Sequence, residues 1–154
     1  MNRKIALDRR LMPPTLMFIC LLAMLALRLL FPGSVLFSGL GALAGGLVLA
    51  IGLAVTIIPD QQFKKARTPV SPLDTPTALV TDGLYRHSRN PMYLGFALIL
   101  AGAWLMMGAL TPLAGLVVFV VVTDRWYIAY EEERMAETFG PAYQAYRRQV
   151  RRWI

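Results

Sequence analysis

The sequence predicts an all-α integral membrane protein with four transmembrane helices, arranged as two hairpins, and a C-terminal cytoplasmic interfacial helix. Two observations support this fold class. The 154 residues are 56% hydrophobic, and their mean hydropathy is +0.52, a composition typical of membrane proteins. Only 16% of the residues are charged, and these residues lie mainly between long apolar segments instead of alternating with them.

Four apolar segments occupy residues 11–31, 35–58, 92–110 and 113–130. A helix needs about 20 residues to cross the hydrocarbon core of a bilayer. The fourth segment reaches that length only if Asp124 and Arg125 lie within it or at its edge. We therefore expect a single domain, 1–154, with a first hairpin at 1–58, a cytoplasmic loop at 59–90, a second hairpin at 91–130 and the interfacial helix at 131–154.

Basic residues predict the orientation of these segments. With four spans, every Lys and Arg except Arg28 lies on one side, in the N-terminal region, the central loop or the region from Arg125 onwards. The positive-inside rule then places both termini and the central loop in the cytoplasm. We expect a protein of the cytoplasmic membrane, with Arg28 snorkelling to the opposite surface.

The first hairpin and the loop carry conformational signals. Gly41 and Gly45 are four residues apart, a spacing that favours close helix packing and, as an alternative, a homodimer face. The central loop contains Pro59, Pro69 and two further prolines. Since proline lacks a backbone donor, we expect residues 59–90 to be extended or turned and not helical.

The C-terminal segment has an apolar stripe at helical spacing. Its members are Met135, Phe139, Tyr143, Tyr146, Val150 and Trp153. Four arginines, Arg147, Arg148, Arg151 and Arg152, belong to the other face, and Gly140-Pro141 interrupts the helix. This pattern predicts a helix that lies on the anionic cytoplasmic leaflet, anchored by its arginines.

The polar motif "LYRHSRNPMYLG", residues 84–95, stands at the start of the third apolar segment. Asn90 suits a helix N-cap and Pro91 the first turn. The free backbone N–H groups of a helix N-terminus, together with Arg86 and Arg89, form a possible anion site. Tyr85 and Tyr93 add aromatic faces with hydroxyl groups. An ordinary interfacial helix start is the alternative.

A second polar group lies at the inner end of the fourth segment. Arg125 and Glu132 are seven residues apart, as are Asp124 and Glu131, so that an α-helix would place each pair on one face. The hairpin should bring Glu131 and Glu132 close to Asn90 and form one pocket for a zwitterionic or cationic ligand. The alternative is a structural ion-pair network. With one His and one Cys, the sequence predicts no metal site.

The two motifs together are similar to the isoprenylcysteine carboxyl methyltransferase family, taken to include phospholipid N-methyltransferase-like bacterial proteins. The resemblance covers "GLYRHSRNPMYLG" and "EEERMAETFGPAYQAYRRQV", from about residue 75 onwards. It implies S-adenosylmethionine as methyl donor and S-adenosylhomocysteine as product. The donor site implied by this resemblance consists of Tyr85, Arg86, Arg89, Asn90, Pro91, Tyr93, Glu131 and Glu132. The resemblance also implies that Arg125 orients the acceptor; Asn90 replaces the histidine of eukaryotic members.

The expected reaction is methyl transfer to a carboxylate or an amine of a lipophilic acceptor at the cytoplasmic face. Arg125 would orient a carboxylate, whereas Glu132 would act as the base for an amine. Membrane lipids are the other expected partners, and nucleic acid is not expected because the positive charge follows membrane topology. The alternatives are a membrane NADPH-dependent reductase of related architecture and a non-enzymatic four-helix transporter or scaffold.

Overall fold

The computed structural model describes residues 12–36, 38–69 and 76–154. Five α-helices form the fold: α1 (Pro13–Leu30), α2 (Leu40–Lys65), α3 (Pro91–Met107), α4 (Leu113–Val122) and α5 (Ala129–Gln149). A 3₁₀ turn (Gly83–Arg86) precedes α3, and a π-helical turn (Thr123–Ile128) joins α4 to α5. The basic residues expected before the first helix lie outside the described residues.

Helices α2 and α3 are in backbone contact through two pairs of glycines. A Cβ atom built on Gly45 would lie 2.6 Å from the carbonyl oxygen of Gly102, and one on Gly52 would lie 2.8 Å from that of Gly95. Only glycine allows helices to approach so closely. The prediction of close packing at Gly45 is confirmed. Another glycine of α2 that contacts α3 is Gly52, seven residues further along.

The core of the bundle lies between α1, α3 and α4, where Met24, Leu100 and Phe119 are completely buried. The turns that follow α1 and α3 are joined by an isolated antiparallel bridge between Val35 and Ala109. Beside this bridge, Arg28 Nε donates a hydrogen bond of 2.9 Å to the carbonyl oxygen of Met107. Arg28 thus satisfies a carbonyl at the C-terminal end of α3, in addition to any contact with the membrane surface.

The prediction that the second helix ends before Pro59 is wrong. Helix α2 continues through Pro59 to Lys65, and Pro59 is completely buried. Membrane helices tolerate proline when neighbouring groups pack around the interrupted backbone. Lys64 and Asp60 form an ion pair of 2.6 Å on the last turns. The non-helical part of the loop therefore begins after Lys65.

The fourth apolar segment continues into the C-terminal helix without a break at residue 130. The path from Leu113 to Gln149 is helical throughout, with a π turn at 123–128 and a kink at Gly140, where φ is 49° and ψ −122°. The predicted interruption at Gly140 is confirmed.

Within the described ranges, three helical paths are long and apolar enough to cross a membrane: Pro13–Leu30, Leu40–Lys65 and Leu113–Gln149. Helix α3 is equally apolar but has only 17 residues. An all-helical fold with several such helices agrees with an integral membrane protein. The count of four spans stays a prediction.

The apolar stripe of the C-terminal helix packs against the protein. Tyr143 and Tyr146 are buried in a cluster with Tyr85, and Met135, Phe139 and Val150 pack around it. Protein covers Tyr143 and Tyr146, whereas the other members of the stripe are half-buried. An interfacial position for this helix remains a prediction that depends on its exposed arginines.

Candidate functional site

A cavity of about 380 Å³ lies between the start of α3 and the start of α5. Its volume falls in the range of small-molecule sites. Aromatic side chains form much of its wall: Phe63, Tyr85, Tyr93, Phe96, Tyr143 and Tyr146. Its charged lining residues are Arg89, Glu131, Glu132 and Arg134. Met12, Pro13 and Pro14, at the start of α1, close another side.

Six of the predicted site residues line this cavity: Tyr85, Arg89, Asn90, Tyr93, Glu131 and Glu132. The structure thus brings the two separated motifs together, as the hairpin predicts. Three predicted residues do not line the cavity: Arg86, Pro91 and Arg125. Arg86 is exposed and forms an ion pair of 2.9 Å with Asp82, and Pro91 is buried as the first residue of α3.

The start of α3 is held differently from the expected cap. Asn90 occupies the N-cap position, but its side chain makes no capping hydrogen bond. Instead Asn90 Nδ2 donates to the carbonyl oxygen of Arg152 over 3.0 Å. The backbone N–H of Asn90 donates to Ser88 Oγ over 3.1 Å. The start of α3 is therefore attached to the C-terminal residues.

Glu132 is the centre of a partly buried ion-pair network. Its Oε1 accepts a hydrogen bond of 2.6 Å from Arg89 Nη2, and its Oε2 accepts one of 2.6 Å from Arg152 Nη2. Arg152 also donates to Asp124 Oδ1 over 3.1 Å. Although burial alone would raise it, the pKa of Glu132 is lowered, because hydrogen bonds from Arg152 and Arg89 stabilise the carboxylate. The alternative of a structural ion-pair network therefore describes Glu132 well.

Glu131 is in the opposite situation. It follows the apolar part of the fourth segment, and its Oε1 accepts a short hydrogen bond from the hydroxyl group of Tyr93. Part of the residue is exposed, but the carboxyl group itself is enclosed by protein, and this burial raises the pKa of Glu131 to about 7. A carboxyl group with this pKa exchanges its proton near neutral pH.

Buried tyrosines on the cavity wall keep their hydroxyl groups neutral. Tyr146 donates a hydrogen bond of 2.7 Å to the carbonyl oxygen of Tyr85. Burial raises the pKa of both tyrosines well above the usual value. The ring of Phe63 lies 5.4 Å from that of Tyr85. The faces of such rings attract cations, including sulfonium and ammonium groups.

Arg125 does not share a face with Glu132. Its side chain is 78% exposed, whereas that of Glu132 is 8% exposed. The π turn at 123–128 contains an additional residue per turn, so the seven-residue spacing does not bring the two side chains together. A role for Arg125 in orienting the acceptor stays a prediction, but this position lends it no support.

Sequence reasoning missed two residues of the network, Arg152 and Trp153. The sequence pattern places Arg152 among the membrane-anchoring arginines and Trp153 in the apolar stripe. In the structure Trp153 Nε1 donates to Asp124 Oδ1 over 2.9 Å. Asp124 was the available signal, because a carboxylate inside an apolar segment requires a partner.

Comparisons with known proteins identify the family of this chain. Residues 40–142 match the family model of phospholipid methyltransferases. An uncharacterized protein of Haemophilus influenzae is 36% identical over 63 residues, which are 41% of this chain and 100% of that protein. The protein-S-isoprenylcysteine O-methyltransferase of Schizosaccharomyces pombe is 36% identical over 74 residues, which are 47% of this chain and 30% of that protein.

Proposed function

Because the chain belongs to the phospholipid methyltransferase family, we propose that it transfers a methyl group from S-adenosylmethionine to an amine of a lipophilic acceptor. We place this reaction at the cytoplasmic face of the membrane, in the cavity between α3 and α5. The observation that carries the proposal is the enclosed carboxyl group of Glu131, which lines an aromatic cavity together with Arg89. Arg89 and the aromatic rings suit the methyl donor, and the carboxyl group suits an amine acceptor.

The residues of the cavity fit the methyl donor. Its carboxylate matches Arg89, whose side chain is only 9% exposed and whose Nε is buried without a hydrogen-bond partner among the described residues. Its sulfonium matches the faces of Tyr85, Tyr143 and Tyr146. When bound, S-adenosylmethionine supplies a methyl group that is already activated for transfer.

The chain itself orients the acceptor, excludes water and accepts a proton. An amine attacks only in its neutral form, and the product ammonium has one proton in excess if the amine was primary or secondary. Glu131 can remove the proton before transfer or accept it afterwards. Glu132 is less suited to this role, because both of its oxygens already accept hydrogen bonds from arginines. We therefore assign to Glu131 the basic role first expected of Glu132.

The carboxyl group of Glu131 supports an amine as the class of acceptor. A carboxylate acceptor is nucleophilic without a base, so it would not need a group with a pKa near 7. The apolar part of the wall, which includes Met92, Phe96 and Met135, suits a lipid chain close to the acceptor nitrogen. A carboxylate acceptor would instead require a cation, and Arg134 is the residue of the wall to test for it.

The test is methyl transfer from labelled S-adenosylmethionine in membranes that contain the protein. We expect label in an extractable lipophilic amine, stable to mild base. Label that mild base releases as methanol would identify a methyl ester and overturn the amine assignment. Binding of NADPH, but not S-adenosylmethionine, to the purified protein would overturn the methyltransferase proposal in favour of the reductase.

A further inference from the structure

The last residues of the chain lie against the start of α3. The chain leaves the helical path at Val150, which is extended with φ −118° and ψ 134°. The backbone N–H of Arg89 donates to the carbonyl oxygen of Arg151 over 3.0 Å. Arg89 Nη1 donates to the carbonyl oxygen of Val150 over 2.5 Å. Residues 150–153 therefore form a strap, called the C-terminal strap below, across the residues that precede α3.

Arg152 is the only residue of this strap whose side chain reaches Glu132 among the described ion pairs. Its Nη2 and Nε donate to the two Glu132 oxygens over 2.6 and 3.2 Å. Its Nη1 donates to Asp124, which also accepts from Trp153. Arg152 does not line the cavity, whereas Glu132 and Arg89 do. The hydrogen bonds of the Arg152 side chain therefore reach the cavity through Glu132, which in turn bonds Arg89; the backbone carbonyl of Arg152 reaches it separately, through Asn90.

The charges of this network explain what Arg152 provides. Arg89 and Arg152 balance Glu132 and Asp124, so the four charges sum to zero. Without Arg152, Asp124, which is 25% exposed, would keep Arg125 at 3.9 Å and the indole of Trp153. The buried carboxylate of Glu132 would instead be left with Arg89 as its one ionic partner among the described residues. Glu132 alone would then neutralise the positive charge of Arg89, and less of that charge would be left for a ligand in the cavity.

We propose that Arg152 is a positioning residue for the methyl donor: by holding Glu132 and Asp124, it keeps Arg89 at the cavity wall with charge left for the donor's carboxylate. The inference depends on the proposed function. It concerns a residue outside the matched family region, which ends at residue 142. The C-terminal strap is, on this view, part of the donor site although it does not touch the cavity.

Donor binding to the purified protein tests the inference. Titration calorimetry with S-adenosylmethionine and with S-adenosylhomocysteine compares the wild type with Arg152→Gln. We expect the Kd of both ligands to rise by about tenfold or more, the loss expected for one hydrogen bond to a charged group. The matched control is Arg148→Gln, which removes an exposed arginine of α5 and should leave the Kd unchanged.

The outcomes separate the two proposals. If the wild type binds neither ligand, the proposed function fails. If the wild type binds and Arg152→Gln binds equally well, the positioning role is overturned while the proposed function stands. A double-mutant cycle with Glu132→Gln adds a measurement that a general fold defect would not mimic. Because Arg152 acts through Glu132, the double variant should bind no more weakly than Glu132→Gln, and additive losses would overturn the inference.

A second variant covers the case in which Arg152→Gln does not fold. Arg152→Lys retains the charge but not the planar fork that bonds both oxygens of Glu132. We expect it to be folded, as judged by thermal unfolding in detergent, and to bind the donor more weakly than the wild type. Wild-type donor affinity in folded Arg152→Lys would overturn the need for the guanidinium group.

Discussion

Two consecutive carboxyl groups, those of Glu131 and Glu132, differ in charge state because their neighbours differ. Glu132 accepts hydrogen bonds from two arginines, which lower its pKa against the effect of burial. Glu131 accepts one from a neutral hydroxyl group, and burial raises its pKa to about 7. In the proposed reaction, the same type of side chain is therefore a fixed anion at position 132 and the proton acceptor at position 131.

The base role of Glu131 predicts a pH dependence. An acid with a raised pKa keeps its proton to higher pH, so the base form is present above pH 7 and is lost as the pH falls below about 7. We expect kcat to fall with that midpoint on acidification. Glu131→Gln should reduce kcat by about 100-fold or more at pH 8. Glu133→Gln, which alters the exposed neighbour, serves as control, and an unchanged kcat in Glu131→Gln would exclude the role.

Tyr93 tunes the same carboxyl group. Its hydrogen bond lowers the pKa of Glu131, in opposition to burial. Tyr93→Phe removes the hydroxyl group but keeps the ring, so the pKa of Glu131 should rise further. We expect the midpoint of the pH–rate profile to move to higher pH, and Tyr130→Phe to leave it in place. A midpoint that moves to lower pH would contradict the assignment.

Residue roles could be predicted from the sequence only where a motif names them. The motifs identified Arg89, Asn90, Tyr93 and the glutamate pair, and the structure brings these residues to one cavity. They did not reveal which glutamate would be paired, because that depends on Arg152, twenty residues further along the chain. Membership of the methyltransferase family, predicted from the same motifs, is confirmed by the comparisons.

At the level of the elements, the contact between α2 and α3 holds the helix that begins directly after Asn90. Glycines make the close approach of these two helices possible. A Cβ atom on Gly102 would lie 2.6 Å from the carbonyl oxygen of Gly45 and 2.6 Å from the backbone nitrogen of Leu49. Neither backbone can move without displacing a helix.

Gly102→Ala should therefore destabilise the protein, by about 1–3 kcal/mol as for other overpacked sites. Gly46→Ala is a matched control in α2, because a Cβ atom there would meet nothing within 4 Å. Thermal unfolding in detergent compares the two variants. Equal unfolding temperatures would show that the contact between α2 and α3 is looser than described.

Gly140 has a different function in its helix. Its φ of 49° lies in a region that other residues rarely adopt, although a Cβ atom there would meet nothing within 4 Å. Gly140→Ala should cost about 1–3 kcal/mol through backbone strain alone. Because the kink orients Tyr143 and Tyr146, we also expect weaker donor binding by calorimetry. If Gly140→Ala had the stability and the donor affinity of the wild type, the kink at Gly140 would be neither strained nor needed for the site.

Periodicity predicted the elements well where an α-helix stays regular. It failed at Pro59, because the sequence alone does not distinguish a proline within an apolar helix from a proline at the end of that helix. It also failed between Thr123 and Ile128, where the π turn changes the direction of every later side chain relative to Arg125. A π turn has no signature in residue spacing, so the partner of Glu132 could not be derived from an α-helical wheel.

For the whole molecule, the distribution of charge predicts which end faces the cytoplasm. Single-cysteine variants test this after Cys20 is replaced by Ser, because Cys20 is the one cysteine of the chain. In intact spheroplasts, a membrane-impermeant maleimide should label Ser34→Cys but not Gln144→Cys. Both should react after lysis. Labelling of Gln144→Cys in intact spheroplasts would reverse the proposed orientation.

At the C-terminal strap, backbone groups hold the motif before α3, while several side chains point away from it. Val150 and Arg151 of the strap, and Arg147 at the end of α5, contact Arg89 through backbone carbonyl groups, which every amino acid provides. The side chains of Arg147 and Arg151 are exposed and remain available to the surroundings. Substitution of either arginine should therefore leave these backbone contacts in place. Arg152 lacks that freedom, because its side chain bonds Glu132 while its carbonyl oxygen accepts from Asn90.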